Sequence, residues 1–184
     1  MGRVIAGMTI SLDGFVADAD GKVDRLYADL AELRWTPSME AAIAATGAVL
    51  MGRRTFEMGD PDSYVGNYEF QVPIFVLTTH PPSRPPKQDD RLTFTFVGDG
   101  IAAAVSQAQA AAGTKEVQVV GGASVIQQLL RAGLVDKLHL DVMPLLLGGG
   151  LRLLENLEPD PVRLETREAE TVGQRTSLRF YVVR

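Results

Sequence analysis

Two glycine-marked turns carry the residue types best suited to chemistry in this sequence. One lies at residues 52–55, with the sequence Gly-Arg-Arg-Thr, and the other at residues 121–124, with the sequence Gly-Gly-Ala-Ser. Each turn follows a short apolar run typical of a buried strand, and each opens a segment predicted to be helical. The first N–H groups of a helix lack backbone partners and lie at its positive end, which suits phosphate. The two turns therefore predict a ligand with two phosphate-bearing regions.

The arginine pair at the first turn supports this prediction. The guanidinium group of Arg53 or Arg54 can hold a phosphate with two parallel hydrogen bonds. In a second interpretation, both arginines are solvated or paired with the nearby carboxylates of Glu57 or Asp60. The sequence alone does not choose between these two interpretations.

Hydroxyl side chains lie close to both turns. Thr55 can donate to the same phosphate or cap the helix, and Ser124 can donate to a ligand that approaches Gly121-Gly122, where no Cβ would hold it off. Thr78 and Thr79 end another predicted strand, at the carboxyl edge where open α/β sheets bind ligands. The structural alternatives are a tight strand–helix turn for the glycines and simple β-forming residues for the threonines.

Strands and helices alternate along the chain to position these turns. Runs of strand length, rich in β-branched and aromatic residues, lie at residues 4–10, 48–51, 74–77, 93–97 and 116–120. Helices are predicted at residues 38–46, 100–112 and 123–132. Pro37 suits the first turn of the first helix, and Asp99 is the expected N-cap of the second.

The C-terminal third changes character. Residues 136–144 alternate like a strand, and residues 162–172 and 175–183 are predicted to form a hairpin that turns at Gly173. Residues 11–24 and the proline-rich residues 79–90 are predicted to be loops. We therefore expect an α/β fold: a mixed, mostly parallel sheet with helices on both faces and an antiparallel hairpin at one edge.

Composition restricts the class of protein. We expect residues 1–184 to form a single domain, since this length is enough for one sizeable core. The net charge of −5 disfavours nucleic acid as a partner, and no apolar run reaches the ~18–20 residues of a membrane span. Cysteine is absent and no signal-peptide pattern precedes the first strand, so we expect a cytoplasmic protein. With only His80 and His139 besides, we expect no metal centre.

Five segments together resemble a known family. The sequences Ser-Leu-Asp-Gly at 11–14, Met-Gly-Arg-Arg-Thr at 51–55, Val-Leu-Thr-Thr at 76–79 and Val-Val-Gly-Gly at 119–122 resemble motifs of the dihydrofolate reductase-like superfamily. Residues 144–150, Pro-Leu-Leu-Leu-Gly-Gly-Gly, are similar to the reductase domain of bacterial riboflavin-biosynthesis deaminase–reductases and its free-standing relatives. The resemblance covers almost the whole chain and implies a dihydrofolate reductase-like three-layer fold.

The resemblance also implies an NADPH site and hydride transfer to a small heterocyclic or sugar-derived substrate. The reaction named for that family reduces 5-amino-6-(5-phosphoribosylamino)uracil, converting a ribosylamino-pyrimidine to its ribitylamino form. The residues expected to contact the cofactor are Ala6, Gly52, Arg53, Arg54, Thr55, Thr78, Thr79, Gly121, Gly122, Ala123 and Ser124.

Asp13 is the candidate catalytic residue. In the riboflavin-type reductases, an Asp in this context borders the substrate, and Gly14 allows the tight turn that follows. Asp13 could bind a substrate hydroxyl or amine, or assist protonation. The alternative is a purely structural turn, because Asp-Gly is a common turn pair. The glycine run at residues 148–150 also has two interpretations, a phosphate-binding nest or a flexible turn.

Two other functions remain open. Dihydrofolate reductases proper carry a carboxylate near the start of the helix before Gly-Arg-x-Thr, where this chain has Thr36 or Pro37. Glu40 is the nearest acid, one turn further along, which disfavours a true dihydrofolate reductase. A non-catalytic NADP-binding protein is the third possibility.

The resemblance further implies a homodimer. The leucine-rich residues 136–147 are the expected edge or interface strand. Trp35 and Met39 fall where the family forms one wall of the substrate pocket, with ordinary core packing as the alternative.

Overall fold

The computed structural model describes residues 1–33, 36–157 and 161–183. The strands are β1 (Val4–Ser11), β2 (Phe15–Ala17), β3 (Thr46–Gly52), β4 (Ile74–Leu77), β5 (Phe94–Val97), β6 (Glu116–Val119), β7 (Lys137–Met143), β8 (Leu151–Arg152), β9 (Arg163–Val172) and β10 (Arg175–Val183). The α-helices are α1 (Leu30–Leu33), α2 (Pro37–Ala45), α3 (Arg53–Glu57), α4 (Ile101–Ala112) and α5 (Ala123–Arg131). Single 3₁₀ turns lie at Asp24–Leu26 and Pro61–Ser63.

Eight strands form one sheet in the order β5-β4-β3-β6-β1-β7-β10-β9. The first six in this order pair in parallel, whereas β10 is antiparallel to both β7 and β9. The short strands β2 and β8 form a separate antiparallel pair. These pairings confirm the mixed, mostly parallel sheet with a C-terminal hairpin at one edge.

Alternate residues of β3 enter two different cores, one on each face of the sheet. Ala48 and Leu50 pack in a cluster that includes buried residues of α4 and α5. Val49 and Met51 pack in a second cluster, against which Ile43 of α2 also lies. Both faces of the parallel part of the sheet are therefore covered by helices, which explains why its strands are nearly continuous apolar runs.

Three expectations for the elements are wrong. Gly100, which has no side chain to cap a helix, takes the N-cap position of α4 that was expected for Asp99. The predicted loop 11–24 contains β2, which is too short to give an alternating pattern. Residues 136–147 were expected to form an edge or interface strand, and the edge alternative is wrong because β7 pairs on both sides, with β1 and β10. Trp35 lies outside the described residues.

A buried ion pair fastens the hairpin to the segment before α1. Arg175, at the start of β10, and Asp29 are 2% and 5% exposed. The guanidinium group donates to both carboxylate oxygens, at 2.5–3.1 Å, and to the carbonyl oxygen of Leu26 at 3.0 Å. These bonds keep the pKa of Asp29 below its ordinary range and satisfy the charges that burial would otherwise penalise.

The outer hairpin strand, β9, lies at the edge of the sheet with charged side chains along most of its length. Nine of its ten residues are exposed, and Val172 is half-buried. The charged members are Arg163, Glu165, Arg167, Glu168 and Glu170. This strand therefore adds little apolar packing, and its partner β10 supplies the buried residues of the hairpin.

Replacing Arg175 with Met should lower the free energy of unfolding by about 3–5 kcal/mol, because it leaves the Asp29 carboxylate buried without its partner. The measurement is urea unfolding at neutral pH, read as a lower midpoint with an unchanged slope. The matched control is Arg179→Met, which breaks a more exposed pair with Asp141 and should cost less than about 1 kcal/mol. Equal losses in the two variants would contradict this account of Arg175.

Candidate functional site

The two glycine turns meet at the carboxyl edge of the sheet. The N–H of Gly52, at the end of β3, donates to the carbonyl oxygen of Gly121 at 2.9 Å. A Cβ on Gly52 would lie 3.0 Å from Cγ2 of Val125 and 3.5 Å from the nitrogen of Gly122. The parallel pairing of β3 with β6 thus brings together two turns that are nearly seventy residues apart in the sequence.

Gly121 has a backbone conformation and a neighbour that exclude a side chain. Its φ is +112°, and the Gly121–Gly122 peptide is cis. A Cβ on Gly121 would lie 2.6 Å from Cε of Met8 and 3.5 Å from Oγ1 of Thr55. The turn is therefore lined by Met8 of the central strand β1 and by the hydroxyl of Thr55 from the first glycine turn.

Helix α5 begins at Ala123 directly after this turn, with Gly122 as its N-cap. Ser124 is exposed, and its hydroxyl oxygen accepts a hydrogen bond from Nε2 of Gln128 at 3.2 Å. Because the amide nitrogen of Gln128 is the donor, the Ser124 proton remains available to a ligand.

The two arginines of the first turn differ in their partners. Nε of Arg53 donates to Oε1 of Glu57 at 2.6 Å, one helical turn along α3. Arg54 is exposed and has no hydrogen bond or ion pair with any residue in the described ranges. Arg53 therefore matches the interpretation of an arginine paired with a carboxylate, and Arg54 is the one whose guanidinium is available to an anion.

The strand end at Thr78 and Thr79 is organised by local hydrogen bonds. The Thr78 hydroxyl accepts from the N–H of His80 at 3.0 Å, and Oγ1 of Thr79 lies 2.9 Å from Nδ1 of His80. Both threonines follow β4 and lie at the same edge of the sheet as the glycine turns. Ala6 is fully buried in β1, in register with Val119 of β6.

Asp13 is held in place by the loop that follows β7. Its Oδ1 accepts from the Ser11 hydroxyl at 2.6 Å and from the N–H of Leu147 at 3.1 Å, and its Oδ2 accepts from the N–H of Gly148 at 2.7 Å. These bonds, above all the one from Ser11, lower the pKa of Asp13 to about 2. Asp13 is therefore ionised at neutral pH and carries no proton to give.

The same bonds give the glycine run at residues 148–150 a role that differs from both interpretations, a phosphate-binding nest and a flexible turn. Two successive N–H groups of this loop do enclose an anion, and the anion is the carboxylate of Asp13 itself. Nη1 of Arg152 also donates to the carbonyl oxygen of Asp13, at 3.2 Å. The loop thus belongs to the support of the turn at residues 11–14.

The remaining predicted positions lie around this edge with less definite roles. Met39 packs beside the second apolar cluster, and Glu40 is exposed in the first turn of α2. His139 is half-buried in β7, where burial and the nearby Arg179 lower its pKa to about 4, so its imidazole is neutral at neutral pH. No hydrogen bond within the described ranges joins Asp13 to the glycine turns.

Sequence reasoning missed three contributors to this edge. Met8 is an ordinary apolar residue in a strand, and Tyr27 and Asp29 lie outside every motif. The only sequence signal that could have marked Asp29 is a carboxylate in a largely apolar surrounding, and its partner is 146 residues away. In the described part of the chain, no cluster of three or more candidate ligands is placed for a metal, and no helix could span a membrane.

The sequence and the fold of this chain are similar to those of several known proteins. The uncharacterized protein YwjB of Bacillus subtilis (strain 168) is 25% identical over 178 residues, which is 97% of each chain. The crystal structure of a Shewanella sp. PV-4 protein assigned to riboflavin biosynthesis superposes with a TM-score of 0.79 at 25% identity, over 99% of both chains. A Thermotoga maritima diaminohydroxyphosphoribosylaminopyrimidine deaminase/5-amino-6-(5-phosphoribosylamino)uracil reductase superposes with a TM-score of 0.70 at 16% identity. This chain spans 57% of that protein.

The eight-stranded sheet with its C-terminal hairpin places the chain in the dihydrofolate reductase-like class of folds. Within this class, the model of the RibD C-terminal domain matches residues 3–178, and the chain belongs to that family.

Replacing Asp13 with Asn should destabilise the protein at neutral pH, because an amide is a weaker acceptor for the N–H groups of Leu147 and Gly148. The folded pKa of Asp13, about 2, lies below the ordinary 3.8, so its contribution is complete above pH 3.8 and is lost as the pH falls through 2. The urea midpoint should therefore be lower for Asp13→Asn than for the wild type at pH 7. The difference between the two midpoints should shrink as the pH is lowered to 2.

The control for this prediction is Asp20→Asn, which changes an exposed carboxylate that accepts no hydrogen bond within the described ranges. Its midpoint should follow that of the wild type at every pH. A gap for Asp13→Asn that stays constant down to pH 2 would mean that the charge of Asp13 contributes nothing to stability.

Proposed function

We propose that the protein is an NADPH-dependent reductase that transfers hydride to a small heterocyclic or sugar-derived substrate of the 5-amino-6-(5-phosphoribosylamino)uracil kind. The observation that carries this proposal is the meeting of the two glycine turns beside an arginine without a carboxylate partner in the described ranges. A ligand with two phosphate regions, one of them a monophosphate on a ribose, matches both features.

The residues at the glycine turns fit such a cofactor. A Cβ on Gly122 would meet only Oγ1 of Thr55, at 3.6 Å, so the bare backbone at this position leaves room for a pyrophosphate to approach the start of α5. Ser124 and Thr55 offer hydroxyl donors, and Arg54 offers a guanidinium to the 2′-phosphate that distinguishes NADPH from NADH. When bound, NADPH supplies the hydride, and the protein supplies orientation and a proton.

Asp13 would act on the substrate side as an acceptor. Its ionised carboxylate can accept from a substrate hydroxyl or amine, although three of its lone-pair directions already receive protein hydrogen bonds. In this role Asp13 orients the substrate, and another group must deliver the proton.

The first test is titration of the protein with NADPH and NADH by calorimetry. We expect at least a tenfold preference for NADPH, about 1.4 kcal/mol, because only NADPH carries the phosphate that Arg54 can bind. Arg54→Ala should remove most of this preference. Arg84→Ala, which changes an exposed arginine paired with Asp62, should leave it intact.

Turnover then separates the remaining possibilities. Oxidation of NADPH, followed at 340 nm with 5-amino-6-(5-phosphoribosylamino)uracil, is the expected result. Oxidation with dihydrofolate instead would identify a dihydrofolate reductase, and binding without turnover of either compound would favour a non-catalytic NADP-binding protein. Failure to bind either nucleotide would overturn the proposal.

We also propose that the protein forms a homodimer through the turn at residues 11–14. Leu12 and Leu146 are 67% and 69% exposed, and the N–H of Leu12 donates to the carbonyl oxygen of Leu145 at 2.9 Å, so the two leucines lie on adjoining loops. Light scattering should give twice the mass of one protomer, and Leu146→Glu should shift it to the monomer mass. Met58→Glu, at an apolar residue that is 62% exposed in another segment, is the control. A monomeric wild type would refute this proposal.

A further inference from the structure

Tyr27 lies between the buried ion pair and the second glycine turn. It follows the 3₁₀ turn Asp24–Leu26 and is half-buried, with the Arg175 guanidinium carbon 5.7 Å from its ring centroid. The ring therefore rests on a cation that is itself held by Asp29. This contact fixes the position of Tyr27 although the residue lies outside any strand or α-helix.

Arg175 and Thr9 both act on the Tyr27 hydroxyl. Nη1 of Arg175 donates to Oγ1 of Thr9 at 2.7 Å, and Thr9 lies close enough to Tyr27 to lower the pKa of its phenol. Because a guanidinium can only donate, the Thr9 oxygen accepts from Arg175 and the Thr9 proton can turn toward the Tyr27 oxygen. The hydrogen bond that Tyr27 itself donates goes to Met8.

The proton of the Tyr27 hydroxyl lies toward the edge of the sheet where the two glycine turns meet. The Tyr27 oxygen lies 4.0 Å from Sδ of Met8, which is a weak acceptor. Cε of Met8 in turn fills the space that a Cβ of Gly121 would need. The Tyr27 hydroxyl is thus one methionine side chain away from the glycine turn, with only a thioether within the described residues to receive its proton.

The other ionisable groups near this edge cannot supply a proton at neutral pH. The carboxylate of Asp13, with a pKa of about 2, is already ionised. The imidazole of His139, with a pKa of about 4, is already neutral. Burial raises the pKa of Tyr27 above its ordinary value of 10, so its hydroxyl keeps its proton.

We propose that Tyr27 is a catalytic residue whose hydroxyl donates the proton that accompanies hydride transfer. This inference rests on the proposed reductase function and on the contact of the Tyr27 hydroxyl with Met8, beside the second glycine turn.

Atoms and electrons balance when the ribosylamino-pyrimidine reacts in its ring-opened imine form. When bound, NADPH would supply the hydride for the imine carbon, and the O–H bond of Tyr27 would break as an N–H bond forms at the imine nitrogen. The substrate gains two hydrogens and becomes an amine, the nicotinamide is oxidised, and Tyr27 is left as a phenolate. The Thr9 hydroxyl and the Arg175 cation stabilise that phenolate until water returns the proton.

Three charged groups, Arg175, Asp141 and Asp29, affect the ionisation of the Tyr27 hydroxyl. Arg175 of β10 favours the phenolate, whereas Asp141 of β7 opposes it. Asp29 faces the same guanidinium and reduces its net influence. Tyr68, whose ring packs against Tyr64 and Phe70, is close enough for its ionisation to be opposed by that of Tyr27. Among the described residues, Arg175 is thus the cation that supports the phenolate.

The kinetic test uses NADPH and 5-amino-6-(5-phosphoribosylamino)uracil. Tyr27→Phe keeps the ring and removes the hydroxyl, so kcat should fall about 100-fold while KM and the Kd of NADPH stay within about twofold. Tyr181→Phe is the matched control, since Tyr181 pairs with Lys137 at the far end of β7 and should keep the wild-type kcat. A folded Tyr27→Phe protein with kcat within about threefold of the wild type would overturn the inference.

Thr9 has its own pair of variants. Thr9→Ser keeps a hydroxyl and should retain most of the activity, whereas Thr9→Val keeps the shape and should lower kcat about tenfold. Thr9→Val should also raise the pKa of Tyr27, because Thr9 no longer donates to the phenolate. Equal activity of the two variants would mean that Thr9 only fills space.

A spectroscopic readout separates failure of this inference from failure of the proposed function. In protein labelled with ¹³C at the tyrosine ζ-carbon, the Tyr27 signal is identified by its loss in Tyr27→Phe. Addition of NADP⁺ with the pyrimidine should shift this signal and leave that of Tyr181 in place. If calorimetry shows binding of NADPH but the Tyr27 signal does not move, the inference fails and the reductase proposal stands. If no nucleotide binds, both fail.

Discussion

The parallel pairing of β3 with β6 is the constraint on which the candidate site depends. It places Gly52 beside Gly121, joined by a hydrogen bond, and Val125 and Met8 leave no room for a side chain at these two glycines. Three other groups lie around this point: Thr55 one helical turn away, Ser124 at the start of α5, and Met8 on the strand adjacent to β6. A change of strand order would separate these groups even if each local turn were preserved.

The part of the site around Asp13 and Asp29 depends on hydrogen bonds and an ion pair between segments that are distant in the sequence. Asp13 is joined to Gly148 across 135 residues, and Arg175 to Asp29 across 146. Both ties hold irregular backbone against the rigid sheet, which is how a loop can present a side chain with the accuracy that catalysis needs. The family resemblance predicts a chemical role for Asp13. Its hydrogen bonds to the loop after β7 also give it a structural role in the turn at residues 11–14.

The sequence predicted what local patterns determine. Apolar runs and helical spacing placed the strands of the sheet within a residue or two, and the glycine turns marked its carboxyl edge correctly. The pairing of Arg53 with Glu57 was also foreseeable, because an i,i+4 pair is a local feature. Strand β2 was missed because three residues cannot show a period, and Tyr27 was missed because its neighbours Thr9 and Arg175 come from distant strands. The wrong assignment of β7 to an edge has the same cause, since strand order is not written in any one segment.

The charged outer strand of the hairpin has a consequence for the behaviour of the protein in concentrated solution. An edge strand offers unpaired N–H and C=O groups to any other extended polypeptide, and a ten-residue edge is long enough to seed sheet-to-sheet growth. The arginines and glutamates of β9 would lose part of their hydration when such a strand adds. If the added strand were β9 of a second copy, its charged side chains would lose hydration as well. The acidic and basic side chains of β9 therefore disfavour the addition of further strands at this edge of the sheet and so disfavour polymerisation.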